Sequence, residues 1–404
     1  MRRVVITGAG TINSLGQDYA STLAALAAGT VAIGPLDIPD VDRLSVRIGA
    51  QVRGFVPEDH FDKAQLGLLD RFAQFALVAG REAMGQAGLV VTEALAPRFG
   101  VIVGNSGGGM RTQDDAFRAV YAEGKNRVHP FTVPRLMSNA PSAHLTMEFG
   151  LRGPSFTVSS ACASSNHAMG EAAAMIRAGR ADVMLTGGTE AMLTFGGIKA
   201  WEGLRVMSST GCRPFCATRD GMVQGEGAAI YVFEERDHAL ARGATILAEV
   251  AGFAMTSDAG DIVMPDPRGA AAAMRGALAD AGLAPEDVGY INAHGTGTAA
   301  NDRVEAAAIN EVFGAATAGV AVSSTKSLHG HLIGGAGAVE LLSCLSALAG
   351  VIPPTGGITD PDPDCDLDIV AGAARRSETQ VVLSNAFAFG GMNAVIVLTA
   401  PDRI

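Results

Sequence analysis

The sequence is short of charge. Only 18% of its 404 residues are Asp, Glu, Lys or Arg, and the acids outnumber the bases to give a formal net charge of −11. An acidic chain is poorly suited to non-specific nucleic-acid binding, so no nucleic acid is expected as a partner. Long apolar runs are also missing. No stretch reaches the roughly 18 residues that a membrane span needs, and none is expected. Met1-Arg2-Arg3 precedes apolar residues, but Thr7, Gly8 and Gly10 interrupt them at once, which reads as a first β-strand and not a signal sequence. Cysteine is scarce. Five residues, an odd number without paired spacing, argue against a disulfide framework and for a reducing, cytoplasmic setting. Cys212 and Cys216 flank Arg213-Pro214-Phe215, yet no second ligand pair follows at a zinc-like spacing, so both are read as structural thiols. The 51 glycines are spread along the chain, leaving no window that reads as a disordered linker or low-complexity tail.

What is present is a large apolar fraction, 48%, enough for an extensive core, in a chain long enough for two or three domains. Apolar, strand-like runs at residues 4–7, 99–103, 156–159, 183–186 and 230–234 belong to a first half. Runs at 245–250, 288–292, 320–323, 381–383 and 394–398 belong to a second. Ala-rich helical stretches at 72–87, 166–178, 269–281 and 337–349 separate them, an alternation that predicts an α/β fold with mixed or parallel sheets. The chain is divided near Arg242, giving halves 1–242 and 243–404. Three motif matches carry no weight. Thr7-Gly8-Ala9-Gly10 lacks the full dinucleotide spacing, Ser323-Ser324-Thr325-Lys326 lacks the companions of a Ser-x-x-Lys enzyme, and Gly107-Gly108-Gly109 is not followed by Gly-Lys-Ser/Thr.

Chemistry concentrates in three segments. In Thr157-Val158-Ser159-Ser160-Ala161-Cys162-Ala163-Ser164-Ser165-Asn166-His167 a β-branched strand ends, small residues turn, and a helix begins near Ser164. That puts the Cys162 thiol at a helix N-terminus, a setting expected to lower its pKa and favour the nucleophilic thiolate. Asn292-Ala293-His294-Gly295-Thr296-Gly297-Thr298 and Ser324-Thr325-Lys326-Ser327-Leu328-His329-Gly330-His331 each place a His just beyond a strand. A thiolate with two nitrogen donors can form, then stabilise, enolate and tetrahedral oxyanions.

With these segments the chain resembles the β-ketoacyl-[acyl-carrier-protein] synthases, condensing enzymes of the thiolase superfamily. The likeness runs from Val4-Val5-Ile6-Thr7-Gly8-Ala9-Gly10 through Gly150-Leu151-Arg152-Gly153-Pro154, Pro214-Phe215, Arg219-Asp220-Gly221 and Gly225-Glu226-Gly227 to Ser384-Asn385-Ala386-Phe387-Ala388-Phe389-Gly390-Gly391. Residues 292–302, 323–331 and 362–368 are similar to elongating, fatty-acid synthase II-type and nodulation-protein-E-like members. The resemblance implies a thiolase-like fold, a duplicated five-layer α-β-α-β-α sandwich. It implies decarboxylative Claisen condensation of an acyl-Cys enzyme with malonyl carried on acyl carrier protein, in fatty-acid or polyketide-like elongation. It implies no cofactor beyond the carrier's phosphopantetheine.

By the same resemblance Cys162 is the nucleophile, and His294 and His331 face the malonyl thioester. Lys326 and Glu340 form a site-organising pair. The backbone N–H groups of Cys162 and Phe389 make an oxyanion hole, and Thr296 and Thr298 hold the pantetheine arm. Gly107 occupies an acyl-pocket position where many relatives carry a bulky aliphatic, which predicts extra room. Ala388 stands where fatty-acid enzymes have the first glycine of a gate around Phe389, which predicts a gate that swings less freely or through different hinges. Some relatives hold a structural monovalent cation through positions matching Asn292, Ala293, Glu340, Ser384 and Asn385. Lys63, Lys125, Arg127 and Arg205 match regions that dock the carrier. A homodimer is implied, or a heterodimer with a chain-length-factor-like subunit. Two other readings are a non-condensing partner subunit of that kind, which would lack the nucleophile, and a biosynthetic thiolase, which would replace one histidine by cysteine.

Overall fold

The computed structural model describes residues 2–401; Met1 and residues 402–404, the outer ends of the two expected halves, lie outside them. Ten strands make the frame. They are β1 Val4–Asn13, β2 Phe99–Gly104, β3 Ser155–Val158, β4 Val183–Glu190 and β5 Gly227–Glu235, then β6 Ala248–Ser257, β7 Tyr290–Asn292, β8 Ala321–Ser323, β9 Val381–Ala388 and β10 Met392–Thr399.

Hydrogen bonding orders the first five as β3-β2-β4-β5-β1 and the second five as β8-β7-β9-β10-β6, with the short strand Asp368–Ile369 at the outer edge. Counted within each half, both orders are third, second, fourth, fifth, first. In both, the third, second and fourth strands run parallel and the fifth is antiparallel to its two neighbours. The duplication is therefore topological, although the two halves are not visibly alike in sequence. They join where β1 meets β6 antiparallel, Val5 opposite Glu249 and Ile6 opposite Ala248.

Five helices complete the layers: α1 Arg71–Ala87, α2 Ser164–Arg177, α3 Pro267–Ala281, α4 Ala299–Phe313 and α5 Ala336–Leu348. Helix α2 packs on β2 and β4 and also on β6 and β10 of the other half; α5 packs on β7 and β9 and also on β4 and β5. They form the central layer. Residues 336–347 of α5 are all buried, which accounts for a helix that is apolar nearly all round. Helix α1 covers the outer face of the first half, and α3, with α4 beside it, that of the second.

Strand β1 runs past the Gly8 and Gly10 that were expected to end it. A Cβ at Gly8 would lie 2.2 Å from the Ala83 carbonyl oxygen, and one at Gly10 2.1 Å from that of Ala79. These glycines let α1 lie directly on the strand, a packing role that resembles a nucleotide-binding turn only in sequence. No helix among the described residues is long and apolar enough to cross a membrane.

Candidate active site

In the first half the turn from β3 to α2 carries Cys162. In the second half the equivalent connection, from β8 to α5, carries His331. The duplication thus brings both to the middle of the molecule, where His331 Nε2 lies 3.1 Å from Cys162 Sγ. The rings of His294 and His331 sit 5.4 Å apart and nearly perpendicular. All three side chains are buried.

The hydrogen bonds decide which ring nitrogens carry protons. Lys326 Nζ donates to His294 Nδ1 at 3.3 Å, and the Ile333 N–H donates to His331 Nδ1 at 3.1 Å. Each Nδ1 is an acceptor, so each neutral ring carries its proton on Nε2. Both rings are neutral. Burial, reinforced by the Lys326 charge, holds the pKa of each well below the ordinary histidine range. Two Nε2–H donors therefore face the cavity. Cys162, His294 and His331 bring one ligand atom each within 4.8 Å of the others, a donor set that also suits zinc. The inward N–H groups and the adjacent Lys326 ammonium oppose a cation there.

Lys326 itself is fully buried, donates to the His294 carbonyl oxygen at 2.5 Å and pairs with Glu340. Removing either partner would strand a buried charge.

The expected lowering of the Cys162 pKa is not found. Burial pushes the thiol up to about 12, and the Lys326 charge and the backbone N–H groups of Phe389 and Cys162 offset only part of that. The turn does aim the thiol as expected, with Ala161 in the left-handed region at φ 48°. Ser164 Oγ braces the turn, accepting from the Ser160 N–H at 2.8 Å and donating to the Ala161 carbonyl at 2.7 Å. Desolvation of a nearly inaccessible sulfur outweighs the helix terminus.

The cavity above Cys162 is lined mainly by apolar groups, among them Trp201, Val206, Met222, Phe387, Ala388 and Phe389, with Thr296 and Thr298 on one wall. The two threonine hydroxyls are 2.9 Å apart. Phe389 stacks on Trp201 at 6.1 Å. Ala388 is the last residue of β9, paired with Met392, and the turn's left-handed positions are Gly390 and Gly391, at φ 82° and 69°. Backbone bonds from Gly390 to Ile262 (2.8 Å) and from Asp258 to Gly391 (2.9 Å) tie this turn to residues 258–264.

Gly107 does not line this cavity. A Cβ there would meet Met110 and Met192 at 3.0 Å, so the room expected from the missing side chain is largely taken up by two methionines. None of the basic residues expected to dock the carrier, Lys63, Lys125, Arg127 and Arg205, lines this cavity, although Arg205 precedes Val206, which does. Lys125 and Arg127 line a separate groove; all four are exposed.

Asn292 pairs with Ser384 across β7 and β9. Asn292 Oδ1, Glu340 Oε2, Ser384 Oγ and Asn385 Oδ1 are all buried without a hydrogen-bond partner. Cys212 is buried with its thiol 3.6 Å from the Thr296 carbonyl oxygen, and Cys216 is buried as well.

Two residues that sequence reasoning passed over also hold the site. Glu305 accepts the N–H groups of His294 and Gly295 at 2.8 and 2.7 Å, and Asp302 accepts that of Gly297 at 3.2 Å. They lie three apart on α4 and so share a helix face, the one sequence signal available.

Residues 1–239 match the family model described as Beta-ketoacyl synthase, N-terminal domain, and residues 247–359 match Beta-ketoacyl synthase, C-terminal domain. The chain is 49% identical to a Nodulation protein E of Rhizobium sp. (strain N33), over 98% of each chain. It is 41% identical to a 3-oxoacyl-[acyl-carrier-protein] synthase 2 of Staphylococcus aureus (strain COL), over 98% of each. Among solved structures it superposes on the ishigamide ketosynthase/chain length factor with a TM-score of 0.94 at 34% identity, over 99% of each chain. It also superposes on a structure described as a type II polyketide synthase acyl-carrier protein in complex with its ketosynthase bound to the hexaketide, with a TM-score of 0.90 at 29% identity, over 99% of each chain.

Proposed function

The chain belongs to the β-ketoacyl synthase family and is a condensing acyltransferase, and from that premise we propose how its own residues divide the work. Cys162 attacks an acyl thioester presented by an acyl carrier protein. A new C–S bond forms, the carrier's C–S bond breaks, and the thiol proton passes to the departing carrier thiolate. Malonyl thioester then enters and loses carbon dioxide. The enolate oxygen is held by the Nε2–H groups of His294 and His331, and the carbanion attacks the acyl-Cys carbonyl. The tetrahedral oxyanion faces the backbone N–H groups of Phe389 and Cys162. Its collapse releases a β-ketoacyl carrier two carbons longer and a Cys162 thiolate that regains a proton. The observation that carries this reading is the pair of neutral, inward Nε2–H donors. Losing one such donor typically costs 10²–10³ in rate.

Thr296 and Thr298, on the wall of the cavity, hydrogen-bond the pantetheine arm. Four orphaned buried oxygens and the Ala293 carbonyl suit a hard monovalent cation, which would steady the strand ends behind His294 without entering the chemistry. A carrier as donor is supported by the similar ketosynthase solved with its acyl-carrier protein. A second copy, or a chain-length-factor-like subunit, covers the free outer edge of β3. Phe156 is exposed there, and the segment between β2 and β3 exposes Phe117, Tyr121, Phe131 and Val133.

Intact-mass analysis with an acyl carrier donor tests the assignment. The parent should gain one acyl group and Cys162→Ala none, while Cys162→Gln should keep malonyl decarboxylation. An adduct surviving Cys162→Ala would overturn it.

A further inference from the structure

The donor role of His331 depends on one backbone N–H, that of Ile333. This β-branched residue sits in the left-handed region at φ 48°, a conformation that such side chains rarely adopt. Something must hold it there. Both backbone polar groups of the next residue are anchored: Ser165 Oγ donates to the Gly334 carbonyl oxygen, and Glu190 Oε2 accepts the Gly334 N–H, from the peptide that joins it to Ile333, at 3.1 Å. Glu190 is fully buried at the end of β4 and forms no salt bridge among the described residues. Its Oε2 also accepts the Ser106 N–H at 2.8 Å, and Oε1 accepts that of Gly107 at 3.1 Å. One carboxylate thus joins the His331 loop to the glycine loop after β2.

The duplicated topology gives this a counterpart. The fourth strand of the second half, β9, ends at the Phe389 N–H beside Cys162. The fourth strand of the first half, β4, ends at Glu190 beside the His331 turn. Each half finishes the active turn of the other.

We propose that Glu190 is a positioning residue that, with Ser165, holds Ile333 in its strained conformation and so fixes His331 as the Nε2–H tautomer. Burial, pushing the Glu190 carboxyl up to about 7 against three N–H donors, is consistent with a group retained for geometry at some cost to stability. The inference rests on the donor role proposed for His331.

Its test uses the full chain with histidine labelled in its ring nitrogens. The parent should show His331 as a single Nε2–H tautomer. Glu190→Ala should give averaged ring-nitrogen shifts. It should also lower malonyl-carrier decarboxylation on the order of tenfold or more, short of the cost of losing the donor outright, while the acyl adduct on Cys162 forms within about threefold of the parent rate. Ser165→Ala removes the other anchor and should act in the same direction, which covers a Glu190→Ala protein that does not fold. Glu190→Gln can still offer one oxygen to the Ser106 and Gly334 N–H groups and should lose less. A folded variant that keeps the single tautomer and the parent decarboxylation rate overturns the inference, and so does an equal loss in both steps. A parent that does not condense malonyl carrier would sink the His331 role itself, a different failure.

Discussion

At Cys162 two local fields oppose each other, and burial wins. With the thiol pushed up to about 12, the thiolate fraction is small at neutral pH. Alkylation by iodoacetamide should therefore climb about tenfold per pH unit between roughly pH 7 and 9, since only the thiolate reacts. Lys326→Ala removes a charge that lowers the thiol pKa and should slow alkylation further at any fixed pH. Intact mass against time reads both, and a rate flat with pH would mean that the turn and Lys326 prevail after all. The nucleophile, both histidines and the lysine were legible because each stands in a short string whose local structure, strand end then loop or helix start, is written in the string itself. The direction of the thiol pKa was not, because desolvation comes from residues distant in sequence. Glu190 and Glu305 went unseen for a related reason: a lone carboxylate on a strand end or helix reads as a solvated charge.

Among the elements, the β9–β10 turn is the one expected to act as a gate. Its left-handed positions are already glycines, and Ala388 sits in the ladder beneath them. Ala388→Gly loosens that base and should change acyl-loading rate more than decarboxylation measured in a Cys162→Gln background; equal effects would count against a gate. Trp201, the single tryptophan of the chain, stacks on Phe389, so its fluorescence should change on acyl loading if the gate swings. The glycine loop after β2 offers a second test. Gly107→Ile must displace the Met110 and Met192 side chains from Cγ outward, and it should shorten the preferred acyl chain in product mass spectra if this loop borders the acyl channel. The start of β4 is held by ion pairs: Asp182 bonds Arg2 at 2.5 Å and Arg98 at 2.8 and 2.9 Å. The Arg98 hydrogen bonds, ahead of those from Arg2, hold the Asp182 pKa below its ordinary 3.8. A depressed carboxylate stabilises the fold above its unfolded pKa and ceases to as pH falls through its folded value. Asp182→Asn should thus cost about 1 kcal/mol near pH 7 in these partly exposed pairs, and the difference in urea midpoint should shrink towards pH 3.

For the whole molecule the open features are its charge and its free edge. An acidic enzyme attracts an acidic carrier only through a local basic rim. Reversing Lys125, Arg127 and Arg205 should raise KM for carrier-bound substrate, spare a small pantetheine thioester and flatten the salt dependence; unchanged carrier kinetics would place docking elsewhere. Because Arg205 neighbours a residue of the active-site cavity while Lys125 and Arg127 line a separate groove, the other two matter most if a second subunit brings them to the carrier. Phe156→Asp, on the exposed outer edge of β3, should then yield monomers by sedimentation and remove the effect of Lys125 and Arg127 reversal together.

The sequence by itself determined the catalytic vocabulary: a cysteine on a strand-to-helix turn, two histidines on strand-end loops, a lysine and a run of family strings in order. Those are local patterns, and periodicity and turn chemistry write them within a dozen residues. Tertiary structure alone decided which strands of the two halves correspond, that Cys162 and His331 occupy equivalent turns, which groups fix the histidine protons, and that four buried oxygens, of Asn292, Glu340, Ser384 and Asn385, find no hydrogen-bond partner. Tautomers, desolvation and unmet hydrogen bonds depend on neighbours brought together from distant parts of the chain. Only the packing of one half against the other makes them neighbours.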